Sequence, residues 1–219
     1  MTALFVTGTG TDIGKTYVTA RLIEDSRGQG RAVRALKPML SGFDALAPEG
    51  CDSAILLAAM GREPSIGNIS LITPWRYRAP LAPNMAARAE GASVDMDAVV
   101  EFCRAEMARA DADGADLFIE GVGGVMSPVS DQATNLDWIG ALDIPALLVA
   151  GTYLGAISHT LTAAAAMMEA SVILHGITLS ESEGEQVGLA ETKAELERFL
   201  KGVTLECVAR ASTPLIFTG

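Results

Sequence analysis

Phe5-Val6-Thr7-Gly8-Thr9-Gly10-Thr11-Asp12-Ile13-Gly14-Lys15-Thr16 is the stretch that decides how this chain is read. A short apolar run ends in a glycine-rich turn, and the turn ends in Gly-Lys-Thr ahead of a helix-forming segment. That order is the sequence form of a phosphate-binding loop. Its glycines let backbone N–H groups crowd around a polyphosphate, Lys15 reaches the outer phosphates, and the Thr16 hydroxyl can ligate Mg2+. The helix that starts near Lys15 points its positive end at the same anion. The usual loop has four residues between its first glycine and the Gly-Lys pair. Here five residues separate Gly8 from Gly14, so the loop is a lengthened variant. A glycine-rich turn with a chance lysine is the competing reading, and the correct order of strand, loop, Gly-Lys-Thr and amphipathic helix weighs against it.

Outward from this loop, strand and helix signals alternate. Leu4 to Thr7 reads as a strand, and Lys15 to Arg27 as a helix closed by Gly28 and Gly30. Ala32 to Lys37 is a second strand stopped by Pro38. A short helix from Asp52 to Met60 ends at Gly61. Residues 62–83 are rich in proline and glycine and read as a long connection. Pro83 to Glu90 is a short helix, and Met96 to Ala110 a longer one. Leu117 to Glu120 is a buried strand followed at once by Gly121, Gly123 and Gly124. Ala146 to Ala150 is a strand, Ala156 to Ala170 a helix, Val172 to Thr178 a strand, Glu191 to Leu200 a charged helix, and Thr204 to Val208 a last strand. Alternation with short turns predicts a P-loop NTPase-like α/β fold, a mostly parallel sheet with helices on both faces and right-handed crossovers. No repeat or low-complexity linker interrupts it, so one domain over residues 1–219 is expected.

Composition narrows the function. Of 219 residues, 49% are hydrophobic and 20% charged, which suits a substantial core rather than a disordered chain. The formal net charge of −11 offers no basic face for a nucleic-acid partner. Ala146 to Met168 is apolar enough to raise a membrane question, but its glycines, threonines and His159 read as a buried strand and then a helix. The opening Met-Thr-Ala-Leu carries no basic segment, so no secretory leader is expected. Cys51, Cys103 and Cys207 show neither a disulfide framework nor metal-ligand spacing, which fits a reducing cytoplasm. Of the four lysines, Lys15 and Lys37 fall at the ends of predicted strands, where open α/β sheets bind ligands.

The loops at the carboxyl ends of the strands carry Thr11, Asp12, Lys15 and Thr16; then Lys37, Pro38 and Ser41; then Glu120 and its glycines; then Gly151 to Ser158. Mg2+ prefers hard oxygen ligands and keeps several waters. Thr16 and Glu120 are placed to supply oxygens, with Asp52 as a second carboxylate. Asp52 reads equally as a helix N-cap, Glu120 as a buried acid paired with Lys37, and the three glycines as an ordinary turn. Phosphoryl transfer needs positioning and cations, which Lys15, Lys37 and Mg2+ would provide.

With these residues in place, the chain resembles the dethiobiotin synthetases. The likeness is carried by Val6 to Thr16, Lys37-Pro38 with Ser41-Gly42, and Asp52-Ser53-Ala54. It continues through Pro80-Leu-Ala-Pro-Asn84, Glu120-Gly-Val-Gly-Gly124, Ser127-Pro128 to Asp131, Asp137-Trp138, and Leu154-Gly155 to His159. The lengthened loop is itself typical of that family. The resemblance implies an ATP-dependent cyclo-ligase that makes dethiobiotin from 7,8-diaminononanoate, CO2 and ATP with Mg2+, through a carbamate and a carbamic-phosphoric anhydride. It also implies a homodimer in the cytoplasm, with no nucleic-acid or membrane partner. Lys15 and Lys37 become the catalytic cations, and Thr16, Asp52 and Glu120 the metal ligands. Thr11, Asp12, Ile13 and Gly14 line the phosphates with Lys15 and Thr16. Tyr17 and Ser180 complete the nucleotide set. Ser41, Pro83 and Asn84 border the substrate, as do Gly121, Gly123, Gly124 and Ser158.

Three positions depart from the family. Ser180-Glu181 stands where an Asn-Asp pair usually reads the base, which implies loose discrimination among triphosphates. Ser158 replaces an asparagine that helps hold the substrate carboxylate. The stretch from about Gly184 lacks the family pattern. Two other readings compete. A ligase that amidates corrin rings would carry a glutamine-hydrolysing domain with a nucleophilic cysteine, and no cysteine here has that context. A nucleotide-switched partitioning ATPase would want a second lysine inside the loop.

Overall fold

In the computed structural model, residues 2–182 and 187–209 are described. Gly184 therefore lies outside the described residues. The chain runs β1 (Ala3–Gly8), α1 (Lys15–Gly28), β2 (Val33–Leu36), β3 (Met39–Ser41), a 3-10 turn at Pro48–Gly50, α2 (Asp52–Ala59), α3 (Ile66–Ile72), β4 (Trp75–Tyr77), α4 (Pro83–Ala89) and α5 (Met96–Asp113). It continues β5 (Asp116–Glu120), α6 (Asn135–Leu142), β6 (Ala146–Ala150), α7 (Ala156–Glu169), β7 (Leu174–Ser180), α8 (Leu189–Phe199) and β8 (Leu205–Val208).

The main sheet has six parallel strands in the order β2-β5-β1-β6-β7-β8. Every residue of β5 and of β6 is buried, so helices cover both faces of the sheet, as uninterrupted apolar strands require. The chain leaves β1 toward β2, returns through β5, and then crosses to β6 on the far side of β1. This reversal opens a crevice beyond the carboxyl end of β1, the switch point at which such sheets bind ligands. Phe5 and Trp138 meet edge to face at 5.0 Å in the core beneath it.

Several elements differ from the sequence expectation. Residues 62–83 are not a featureless connection. Ser65 accepts the Asn68 N–H and starts α3, and β4 pairs in parallel with β3 as a separate two-stranded sheet. Pro38 does end β2, but the chain resumes at once as β3. α6 was not expected either, although Thr134 and Asp137 form a reciprocal capping box at its start. β7 begins two residues later than the apolar run suggested, because Ser171 adopts φ 58° in the turn before it. α5 continues to Asp113, where Gly114 in the left-handed region stops it.

At the other end of the sheet, Asp116 is 4% exposed. It accepts the Thr2 N–H at 2.8 Å, the Ser26 hydroxyl at 2.7 Å and Arg31 Nε at 2.6 Å. Burial pushes its carboxyl up, but the Ser26 and Thr2 hydrogen bonds and the Arg31 charge together hold it below the usual carboxylate range. A depressed folded-state value means that this stabilisation is present at neutral pH and is lost as the carboxylate protonates in acid. Asp116→Ala is therefore expected to lower stability by about 2–3 kcal/mol in urea unfolding at neutral pH. The gap to the parent protein should narrow as pH falls through the carboxylate range.

Candidate active site

Strand register brings the charged residues together. Leu36 pairs with Ile119, so the next residues, Lys37 and Glu120, leave the sheet side by side. Val6 pairs with Glu120, which sets the same carboxylate against the strand that feeds the phosphate loop. Lys37 and Glu120 are 2% and 0% exposed. Lys37 Nζ lies 2.6 Å from Glu120 Oε1, 3.1 Å from Asp52 Oδ2 and 2.9 Å from the Gly121 carbonyl. Its three N–H donors thus meet three acceptors. The Thr16 hydroxyl donates to Glu120 Oε1 at 2.8 Å. Asp52 stands at the first position inside α2, and Cys51 occupies the N-cap. Asp52 is therefore not the helix cap, and its carboxylate joins the cluster instead.

Electrostatics follow from this packing. Burial alone would lower the Lys37 pKa, but the Glu120 and Asp52 carboxylates outweigh it and raise it to about 12. Burial would raise the Asp52 carboxyl, but the charge and hydrogen bond of Lys37, with help from Thr16, hold it low. Lys15 is different. It is 7% exposed, and its Nζ donates to the Gly10 carbonyl at 2.7 Å, inside its own loop. Burial, then the charge of Lys37, lowers its pKa to about 8 against the opposing carboxylates.

The loop itself needs its glycine at position 14. Gly14 has φ 92° and caps α1, and a Cβ there would lie 2.3 Å from Ser180 Oγ. Ser180, at the end of β7, is thus packed against the phosphate loop. Ile13 is buried and folds over Gly8, while Thr11 and Asp12 are exposed at the loop tip, Asp12 with φ 56°. The Tyr17 hydroxyl donates to the Ala209 carbonyl after β8.

Glu120 Oε2 is buried without a hydrogen-bond partner. An orphaned carboxylate oxygen beside Asp52 and the Thr16 hydroxyl is a hard-oxygen donor set that fits Mg2+, which needs few protein ligands because water and phosphate oxygens complete its shell. Among the described residues, no group of three or more His, Cys, Asp or Glu is placed to hold a metal ion by itself.

The expected substrate residues divide into two groups. Ser41 Oγ, at the end of β3, and Asn84 Oδ1, at the start of α4, are both buried and unpartnered. The segment joining them is close, for the Gly42 N–H donates to the Ala79 carbonyl. Pro83 is buried in the first turn of α4. The Gly121 carbonyl is taken by Lys37, and Gly124 lies so close to the phosphate loop that a Cβ would sit 3.1 Å from the Thr9 carbonyl. Gly123 bends the loop at φ 67°. Ser158 is exposed in the first turn of α7.

Sequence reasoning missed three supports. Asn135 is fully buried, and its amide donates to the Val122 and Gly124 carbonyls, which holds the glycine loop in shape. Its only local signal is the capping box it sits in. Thr152 and Ser182 latch the tips of β6 and β7, each backbone N–H donating to the other's hydroxyl at 3.1 Å. Ser53 and Thr73 share a buried hydroxyl contact next to Asp52.

This sheet, loop and charge cluster define a nucleotide-binding α/β protein of the P-loop class, and residues 2–210 match the family described as an AAA domain. A chain of the MinC:MinD cell division protein complex of Aquifex aeolicus shares the fold at 14% identity. The TM-score is 0.52, with 94% of this chain and 79% of that one covered. Relatives are much nearer in sequence. The chain is 46% identical over 213 residues to the ATP-dependent dethiobiotin synthetase of Methylobacterium nodulans, covering 96% of this chain and 94% of that protein. It is 46% identical over 211 residues to the enzyme of the same name from Caulobacter vibrioides (strain NA1000 / CB15N), covering 96% and 94%. The chain belongs to the dethiobiotin synthetase family.

The state of Lys15 gives a pH dependence. Only its charged form attracts a triphosphate, and a bound anion raises its pKa further. Affinity should therefore be full below its value of about 8 and fall as pH rises above it. The nucleotide Kd measured by calorimetry is expected to rise roughly eightfold between about pH 7.5 and about pH 9. In Lys15→Met the Kd should be weak throughout and flat over that range.

Proposed function

We propose that this chain makes dethiobiotin from 7,8-diaminononanoate, CO2 and ATP. One observation carries the reading: Lys37, Glu120, Asp52 and Thr16 converge at the mouth of the phosphate loop, with one carboxylate oxygen left unpartnered. Family membership supplies the reaction.

One amine of the diamine adds to CO2 and loses a proton, giving a carbamate. The unpartnered Ser41 hydroxyl and the backbone around Gly121 to Gly124 are placed to hold it. A carbamate oxygen attacks the γ-phosphorus, the bond to the bridging oxygen breaks, and ADP leaves. The second amine then attacks the carbamoyl carbon, phosphate departs, and the five-membered urea ring closes. Negative charge spreads over the transferring phosphoryl oxygens. Lys15 and Lys37 are the cations that meet it, and an incoming anion has only the neutral Gly121 carbonyl to displace from Lys37. Thr16, Asp52 and Glu120 would hold Mg2+, which supplies further positive charge to the phosphates.

Ser180 is committed to packing on Gly14, so the base is expected to be read loosely. Ser158 would reach the substrate carboxylate through water. A homodimer fits the almost fully exposed Leu154 and Leu46, for which a second copy offers cover. Among the described residues, no helix is long and apolar enough to cross a membrane, and a cytoplasmic enzyme is our reading.

The deciding assay combines purified protein, the diamine, bicarbonate, Mg2+ and ATP, with mass detection of the cyclic urea. Formation of dethiobiotin is expected, and its absence at full nucleotide occupancy would refute the reading. Lys37→Ala should slow turnover on the order of a hundredfold or more while its circular dichroism stays that of the parent. Near-normal turnover would remove Lys37 from the mechanism. Glu120→Gln should raise the Mg2+ concentration needed for half-maximal rate by about tenfold or more, and an unchanged titration would show that Glu120 is no ligand.

A further inference from the structure

Thr73 closes α3, in the segment whose sequence reads as a loop. Its Oγ1 lies 2.6 Å from Ser53 Oγ, and both residues are fully buried. Ser53 follows Asp52 in the first turn of α2. Cys51 occupies the N-cap, and its sulfur is a weaker acceptor for that turn's N–H groups than the oxygen of Ser, Thr, Asp or Asn. The contact between Ser53 and Thr73 therefore adds a hold on this turn from outside the helix.

The residues around Thr73 reach the rest of the cluster. The Lys37 N–H donates to the Ile72 carbonyl at 3.1 Å, and the Trp75 N–H donates to the Pro38 carbonyl at 3.1 Å. Arg76 donates to the Thr73 carbonyl and lies over the Phe43 ring at 5.5 Å, two residues beyond Ser41. One short segment thus ties down the strand end that bears Lys37, the helix that bears Asp52 and the loop that follows Ser41.

We propose that Thr73 is a positioning residue for the divalent-cation site: its hydrogen bond with Ser53 fixes the first turn of α2 so that Asp52 faces Thr16 and Lys37. Removing either hydroxyl takes away the other's buried 2.6 Å partner, a penalty the turn relieves by shifting. Such a shift moves Asp52 and leaves the backbone of the phosphate loop in place. The inference rests on Asp52 being a cation ligand, as proposed above.

The test reads binding rather than turnover. Mn2+, as an EPR-visible substitute for Mg2+, is titrated into protein saturated with a non-hydrolysable ATP analogue, and analogue affinity is measured separately in EDTA. Thr73→Val is expected to raise the cation Kd about tenfold, the low end for groups that orient a ligand. Thr73→Ser, which keeps the hydroxyl, should stay within about twofold of the parent. Ser53→Ala should reproduce the loss, and the double variant should be no worse than either single change, because it leaves neither hydroxyl buried without its partner. Analogue affinity in EDTA should not move. Should Thr73→Val fail to fold, Ser53→Ala carries the same comparison. Parent-like cation affinity in Ser53→Ala and any folded Thr73→Val, or an equal fall of cation and metal-free analogue affinity, overturns the proposal. A parent protein that binds no Mn2+ with the analogue would instead refute the reading of Asp52 as a ligand.

Discussion

The site depends on one buried ammonium. Lys37 is sealed from water and would be costly there if it stood alone, since an unpaired buried charge destabilises by several kcal/mol. Glu120 and Asp52 make it tolerable, and they in turn depend on it. The three side chains come from the end of β2, from β5 and from α2, so the ion cluster forms when β2 and β5 are paired and α2 has docked.

The balance of charge explains why the two lysines differ. Lys37 has both carboxylates within hydrogen-bonding distance and is held firmly protonated. Lys15 has only its own loop carbonyl and feels Lys37 as a like charge. One lysine is a fixed structural cation that a ligand must share with the protein. The other is poorly satisfied until an anion arrives. A loop built this way gains most from the most highly charged part of a nucleotide.

What the sequence revealed depended on how local the cause was. Gly14, Lys15 and Thr16 were legible because the loop's chemistry lies within one turn of chain. Lys37 and Glu120 were legible because each ends an apolar strand, and parallel order then places them together. Asp52 was ambiguous, as aspartate at a helix start reads equally well as a cap, and only Cys51 in the cap position separates the two readings. β4 was not legible: it has three residues, follows Pro74, and is a strand only because Met39 to Ser41 lie beside it. The pairing of Ser53 with Thr73 spans twenty residues and has no local signature. α6 is the exception, for its capping box was written in Thr134 and Asp137.

The reciprocal bonds between Thr152 and Ser182 reach beyond local order. Parting the two strand tips breaks both bonds, because each residue is donor to and acceptor from the other. One tip runs on to the Ser158 end of α7, and the other begins at the serine that rests on the phosphate loop. Anything that draws one tip away therefore strips an amide partner from the other, next to the serine that packs on the phosphate loop.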